Sequence, residues 1–509
     1  MAPPDDGARM TPSLSTAQLD RAAGVLLGLA CGDALGAGYE FGPPLGLDVP
    51  VAMNGGGHFG WEPGEWTDDT SMAICIAEVS ATGADLRSVG ARDQVAARWA
   101  GWGAEAKDVG NQTRAVLSGA TRAARVRGDR EPAADDLSSA AAAHHTLTGR
   151  SGGNGSLMRT APVALACLHD PDTLVLAAQE ISAMTHYDPE AGEACALWCL
   201  ALRHAVLEGA LDIRRGLSYL PGDRALAWAA LLDEAEAGQP ADFHRNGWVV
   251  QALQGAWSAI SSTAATAHES SPSAAGPAHL RRALEGAVRG GRDTDTVAAI
   301  AGALIGGRYG ASAVPARWRR ALHGWPGLRA RDLVSLGVLT ARGGRPDSAG
   351  WPTGARMDYS TYQDSAVLVR HPHDEGVWLG GIDALTDLPD GVDAVVSLCR
   401  LGEREVPATG VADIDHVEVW LVDDPDPAKN PNLDFVLTDA AAAIAAMRAE
   451  GRTVLLHCVQ AQSRTPAVAA LYGARLTGRT PLEALADIVE VLPGARPNTA
   501  FRAALERLG

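Results

Sequence analysis

From about residue 17 to 335 the apolar positions fall in long, Ala-rich runs with few β-branched clusters, a pattern that predicts helices. Gly and Pro collect between the runs, as in Asn54-Gly55-Gly56-Gly57 and Ser151-Gly152-Gly153-Asn154-Gly155. Such stretches predict loops, or points where backbone approaches a ligand. A Gly-, Pro- and Arg-rich stretch at 342–357 has linker composition. Beyond it the texture changes. Val377–Gly380, Ala394–Leu398 and Val417–Val422 read as short strands, and Thr453–Leu456 as a buried one. Asp439–Glu450 and Pro466–Leu476 carry helix patterns. Strands alternating with helices predict a parallel or mixed α/β sheet. The expected organisation is a tail at 1–18, an all-α domain at 19–340, a linker at 341–357 and a smaller α/β domain at 358–509.

Composition narrows the functional classes. The chain has 509 residues, 46% hydrophobic and 20% charged, which suits large globular cores. A formal charge of −18 argues against nonspecific binding to nucleic acid or anionic membrane. Seven cysteines are too few for a disulfide scaffold and fit a reducing compartment, so a cytoplasmic location is expected. No apolar run reaches the ~18 residues that span a bilayer. Ala22 to Cys31 could pass for a signal or lipoprotein segment, but it follows Asp5, Asp6 and Asp20 and has Gly28 where Leu is expected, so it reads as a buried helix.

Two acidic clusters open apolar helices: Thr67-Asp68-Asp69-Thr70 before Ser71–Ala77, and Asp293-Thr294-Asp295-Thr296 before Val297–Ala301. Each alone reads as N-capping. Together, if they meet, they place four carboxylates at two buried helix starts, and that density needs a counter-charge. Two divalent cations would supply it. An all-oxygen ligand set suits Mg²⁺, or Mn²⁺, rather than Zn²⁺.

In chain order, Gly32-Asp33-Ala34-Leu35-Gly36 with Tyr39-Glu40, Thr67–Thr70, Gly153–Arg159 and Arg292–Thr296 resemble the ADP-ribosylglycohydrolase family, including its dinitrogenase reductase-activating branch. The resemblance spans about residues 19–335. It implies an all-helical fold with a two-metal centre held by Thr67, Asp68, Asp69, Asp293, Asp295 and Thr296. It implies catalytic roles for Glu40, on a gating loop, and for Asp108, without deciding between them. It further implies ligand contacts from Asn111, Gly153, Asn154, Gly155, Ser156, Met158 and His186. Backbone N–H groups around Gly152 to Ser156 offer an anion site for a pyrophosphate. Trp248 matches an aromatic near the ligand, with core packing the favoured alternative, and Cys195 and Cys199 read as core thiols.

The second domain has its own motif. A buried strand runs into His457-Cys458-Val459-Gln460-Ala461-Gln462-Ser463-Arg464-Thr465 and then a helix. A loop at a helix N-terminus points N–H groups at a phosphate, Arg464 can bind it in a fork, and the same field favours a Cys458 thiolate. Thr465 can hydrogen-bond the sulfur. This is similar to the dual-specificity branch of the cysteine-dependent phosphatases over about 358–509. The resemblance implies a phosphate-binding loop of Val459, Gln460, Ala461, Gln462, Ser463 and Arg464, with Asp423 as general acid and Asp424 and Asp426 as neighbours. Ala461 departs from the family's Gly; at a positive φ it would cost about 1 kcal/mol.

The expected whole is a bifunctional hydrolase. One domain releases ADP-ribose from a modified protein or small molecule, and the other hydrolyses a phosphomonoester of a phosphorylated substrate. The alternative is an ADP-ribose sensor or a phosphopartner-docking protein in which only one domain is catalytic.

Overall fold

The computed structural model describes residues 13–264, 272–347, 350–362 and 365–509. Helices fill the first of two cores. The first, Thr16–Gly36, begins at a capping box in which Ser15 and Gln18 satisfy each other's backbone N–H. Of the tail expected at 1–18, residues 1–12 lie outside the described residues, and 16–18 are already helical. This is the one described helix long and apolar enough to cross a bilayer, yet 89% of its apolar window is buried inside the protein. It is a core helix, as its sequence predicts.

Its partner is Thr294–Tyr309. The two lie backbone to backbone along a seam of small residues. A Cβ at Gly24, Gly28 or Gly32 would overlap the carbonyl oxygen of Gly306, Gly302 or Ala298, and one at Gly36 would run into Asp295 backbone. Glycines at every fourth position form one stripe along a helix. The seam brings the C-terminal end of the first helix, with Asp33, beside the start of its partner, with Asp295.

The helix expected at Ser71–Ala77 runs Asp68–Ser80 and is buried through most of its length. Further helices, from Val89–Glu105 to Ala330–Ala341, enclose these three.

The second domain is a mixed five-stranded sheet. Its order is Leu368–His371, Asp374–Gly380, Val454–His457, Ala394–Ser397, His416–Glu418, with the first pair antiparallel and the rest parallel. Helices Leu433–Ala449 and Arg464–Thr477 cover it. The strand expected over Val417–Val422 is shorter. After Glu418 the chain leaves the sheet so that Trp420 packs on Trp351, ring centroids 4.8 Å apart. Trp351 is buried, so the stretch expected as a linker is in part packed structure.

The domains touch through arginines. Arg319 donates to the Glu418 carbonyl, Arg320 pairs with Asp415 and Glu450 at 2.6 Å each, and Arg331 pairs with Glu418 at 3.1 Å. Asn432 Nδ2 donates to the carbonyl of Tyr309 and to Ser312 Oγ, both 2.8 Å. The second domain thereby closes the C-terminal end of the helix Thr294–Tyr309.

Candidate active site

Neither acidic cluster caps its own helix. Thr67 and Asp293 occupy the N-cap positions, and neither side chain makes the capping bond. Asp33 does that work for the first cluster from another helix: its carboxylate accepts from Thr67 N (2.9 Å), Thr70 N (3.0 Å) and Thr70 Oγ1 (2.6 Å). The ligand-type side chains are thus free to face one another. Thr67 Oγ1 donates to Asp69 Oδ2 at 3.2 Å and lies 3.5 Å from Asp295 Oδ2, and Thr296 Oγ1 donates to Asp69 Oδ2 at 3.3 Å. Glu40, Asp293 and Asp295 present carboxylate oxygens within 4.8 Å of one another.

This clustering is electrostatically costly. Burial first, and neighbouring carboxylates second, push Asp68, Asp69 and Asp295 well above the usual carboxylate range. Glu40 is pushed up to about 9 by burial and then by Asp293, Asp108 and Asp68. Asp293 is raised by burial, and Asn154 and Thr296 hydrogen bonds oppose the rise. Asp69 Oδ1 and Asp295 Oδ1 are buried without any hydrogen-bond partner. Orphaned buried carboxylate oxygens, all hard donors in one cluster, fit hard divalent cations.

The glycine-rich loop lies against this cluster. Asn154 Nδ2 donates to Asp293 Oδ2 at 2.7 Å and to the Asn246 carbonyl at 2.9 Å. Gln112 Nε2 holds the loop's start, donating to the carbonyls of Ser151 (2.9 Å) and Thr185 (3.0 Å). His186 is buried, and burial with Arg159 nearby holds it well below its ordinary pKa, so the ring is neutral. Arg159 donates to Thr185 Oγ1, and that hydroxyl lies 2.7 Å from His186 Nδ1. The other ring nitrogen, Nε2, faces Gly153 and Gly155: a Cβ on either would come within 3.3 Å of it.

Other expected residues take different places. Ser156 is buried and spends its hydroxyl on Ser182 and Cys195. Met158 packs in the first core, because its side chain follows the short turn Asn154–Ser156 inward. Asn111 is exposed at the start of helix Asn111–Arg127. Asp108 is raised by burial and interacts with Asp293, outside the Glu40 group. Trp248 is half buried and its side chain packs against the first core, in line with the favoured alternative, while its backbone bridges Gly153. Cys195 and Cys199 are fully buried core thiols. Asp33, Gln112 and Arg159, buried or half-buried polar residues that orient the others, were missed as functional. Arg159 beneath Trp99, 3.8 Å from the ring centroid, is the least legible, since a lone Arg reads as surface.

In the second domain, Cys458 follows the central strand and is nearly buried. The loop reaches the helix Arg464–Thr477 through Ala461 at φ 55, the left-handed conformation in which a Cβ is strained. Ser463 Oγ and Asn498 Nδ2 donate to Asp423 Oδ1 at 2.7 and 2.9 Å, so that carboxylate sits on the loop, with Arg464 Nε 3.8 Å away. Asp424 pairs instead with Lys429, and Asp426 caps Ala428. Arg464 donates to the carbonyls of Leu398 (2.9 Å) and Leu421 (3.3 Å), which leaves Nε without a partner. Thr465 Oγ1 makes no hydrogen bond, so the bond to sulfur expected of it is not formed. Gln462 is tied through its carbonyl and side chain to Arg496, while Val459 is buried.

A carboxylate cluster between buried helix starts, beside a glycine-rich loop in an all-helical domain, defines a hydrolase-type cleft. A family model described as ADP-ribosylglycohydrolase matches residues 14–346, and the chain belongs to that family. It is similar to an ADP-ribosylarginine hydrolase Tri1 of Pseudomonas putida (strain GB-1), 33% identical over 312 residues, covering 59% of this chain and 73% of that protein. It is also similar to an ADP-ribosyl-[dinitrogen reductase] glycohydrolase of Rhodospirillum rubrum, 29% identical over 325 residues, covering 59% of this chain and 89% of that protein. Among solved structures, human DUSP28 aligns at 25% identity over 28% of this chain and 95% of that chain, with a TM-score of 0.24.

Proposed function

We propose that the first domain hydrolyses the glycosidic bond joining ADP-ribose to a modified acceptor, with an arginine side chain as the leading acceptor. The observation that carries this is the meeting of Thr67, Asp69, Asp295 and Thr296 beside Glu40 and Asp293, with two buried carboxylate oxygens unpartnered. The activities for which the two relatives are named, on ADP-ribosylarginine and on ADP-ribosylated dinitrogen reductase, support it.

Thr67, Asp68, Asp69, Asp293, Asp295 and Thr296 would hold two Mg²⁺ or Mn²⁺ ions, with Glu40 adjoining. When bound, such ions supply positive charge that offsets the carboxylates and hard-acid sites for sugar hydroxyls. The residues of the chain do the rest. The glycine-rich loop, which His186 Nε2 faces, offers donors to the diphosphate. Asn154 holds Asp293 in place. Cleavage builds positive charge at the anomeric carbon, which the surrounding carboxylates stabilise. Glu40 or Asp108, which lie within each other's electrostatic reach, would take a proton from the attacking water.

The second domain is proposed to act on a phosphomonoester through Cys458, Arg464 and Asp423. Its strand–loop–helix placement and the closeness of Asp423 to the loop support this reading. The strained Ala461 favours a second one, in which the loop docks a phosphorylated partner without turnover.

The test is release of ADP-ribose from arginine-, serine- and acetyl-linked substrates, with Mg²⁺ and with chelator. Release that needs the cation supports the proposal; release from none of the three refutes it.

A further inference from the structure

A row of aromatic rings begins next to Glu40, at the edge of the carboxylate cluster. Phe41 follows Glu40 directly, and its ring lies 6.0 Å from His58 and 6.3 Å from Phe59; His58 and Phe59 are 5.1 Å apart, and Phe59 is 6.1 Å from Trp61. Phe41 is 63% exposed. It is also held at φ 64, by a 2.6 Å bond from its N–H to the Arg292 carbonyl, across from Arg292 at φ 69. A bulky residue that is both exposed and in left-handed backbone contributes little to the fold and costs about 1–2 kcal/mol. Its retention calls for another use.

The position says what that use is. Asp293 is tied to Asn154 of the glycine-rich loop, and it also adjoins Glu40 and follows Arg292, which bridges Gly42 and accepts from Phe41 N. A substrate whose diphosphate lies on the glycine loop directs its acceptor toward Phe41. That end opens to solvent, as it must when the acceptor is part of a second protein. The local charge says what kind of acceptor. Asp108 lies within electrostatic reach of His58 and sets a carboxylate beside the row. Lys107 already lays its ammonium 5.1 Å from the Trp61 ring centroid at the far end of the row. Among the described residues no cation lies over Phe41, His58 or Phe59.

Resting on the proposed glycohydrolase function, we infer that Phe41, His58 and Phe59 form the acceptor subsite and select a guanidinium, which stacks on aromatic faces and suits the carboxylate beside them. The subsite favours arginine-linked over hydroxyl- or ester-linked ADP-ribose.

The experiment compares wild type with Phe41→Gly, Phe41→Tyr and His58→Ala/Phe59→Ala, all full-length. It reads kcat/KM on an ADP-ribosylated arginine peptide and on an acetyl-ester of ADP-ribose, affinity for free ADP-ribose, and Tm. The arginine-to-ester ratio of kcat/KM should fall about tenfold in Phe41→Gly and in the double variant, and hold in Phe41→Tyr. Phe41→Gly should melt higher than wild type, since it relieves the left-handed strain, so lost selectivity there is not lost folding. A ratio unchanged within about twofold overturns the inference while leaving glycohydrolysis standing. So does a parallel loss of affinity for free ADP-ribose, which would assign the rings to the nucleotide end. Wild-type protein inert on both substrates removes the function itself, and the subsite with it.

Discussion

Asn154 donates its side-chain amide to Asp293 at 2.7 Å, and this bond joins the glycine-rich loop to the carboxylate cluster. The same amide reaches the carbonyl of Asn246, whose own amide bonds the Gly291 carbonyl at 3.0 Å just before Asp293. The loop that would bind a diphosphate and the acid that would bind a cation are therefore set by one side chain.

Asn154→Ala should lower kcat/KM for ADP-ribose release about tenfold to a hundredfold, the worth of a hydrogen bond to a charged acceptor. Asn154→Asp should lower it further, because it adds a carboxylate to a site already crowded with them. Steady-state release assays on both variants check the order; an aspartate variant as active as wild type would contradict the geometry.

Stability should respond to pH and to cations in a linked way. Glu40 and the buried aspartates have folded-state pKa values raised above their unfolded ones. The folded state then binds more protons, and without cations stability falls as pH rises from about 4.5 toward the Glu40 value of about 9. In chelator, Tm at pH 6 should exceed Tm at pH 8. Mg²⁺ should raise Tm more at pH 8 than at pH 6. Asp69→Asn or Asp295→Asn should raise Tm in chelator, shrink the Mg²⁺ effect and cut ADP-ribose release at least a hundredfold. Calorimetry across pH distinguishes this from a cluster without linkage.

For the second domain, Cys458→Ser should abolish hydrolysis of p-nitrophenyl phosphate and leave ADP-ribose release intact. Ala461→Gly should raise both turnover and Tm, by about 1 kcal/mol of relieved strain in the latter. If wild type is inert and Ala461→Gly active, the loop is a binding module limited by that one Cβ.

The helix seam makes a sharp contrast between two glycines. Gly28→Ala would press a Cβ on the Gly302 carbonyl and should destabilise by about 1–3 kcal/mol or more. Gly101→Ala, in the helix Val89–Glu105 with nothing within 4 Å of its Cβ position, should stabilise by about 0.5–1 kcal/mol. Denaturant melts of the two variants read the difference.

The carboxylate clusters were legible because charge at the start of an apolar helix is conspicuous in a sequence. What those charges do locally was not, since Asp33, which caps the helix in their place, lies a helix away and is identified only by the fold. The stripe formed by the glycines at 24, 28, 32 and 36 takes its meaning from a partner helix roughly 270 residues further on. In the second domain, β-branched runs announced the strands, but Val417–Val422 reads as strand throughout because Trp420 is apolar for a different reason: it faces the first domain. Nothing in the sequence sets Arg319, Arg320 and Arg331 apart from solvated arginines; their acidic partners lie in the other domain.

Those arginines give the acidic chain a hidden polarity. Their partners Asp415, Glu418, Asp439 and Glu450 all belong to the second domain. Cut between the domains, the first would bare a basic face on an otherwise negative body, and copies of it would find in one another's acidic surfaces a substitute for the partner they had lost.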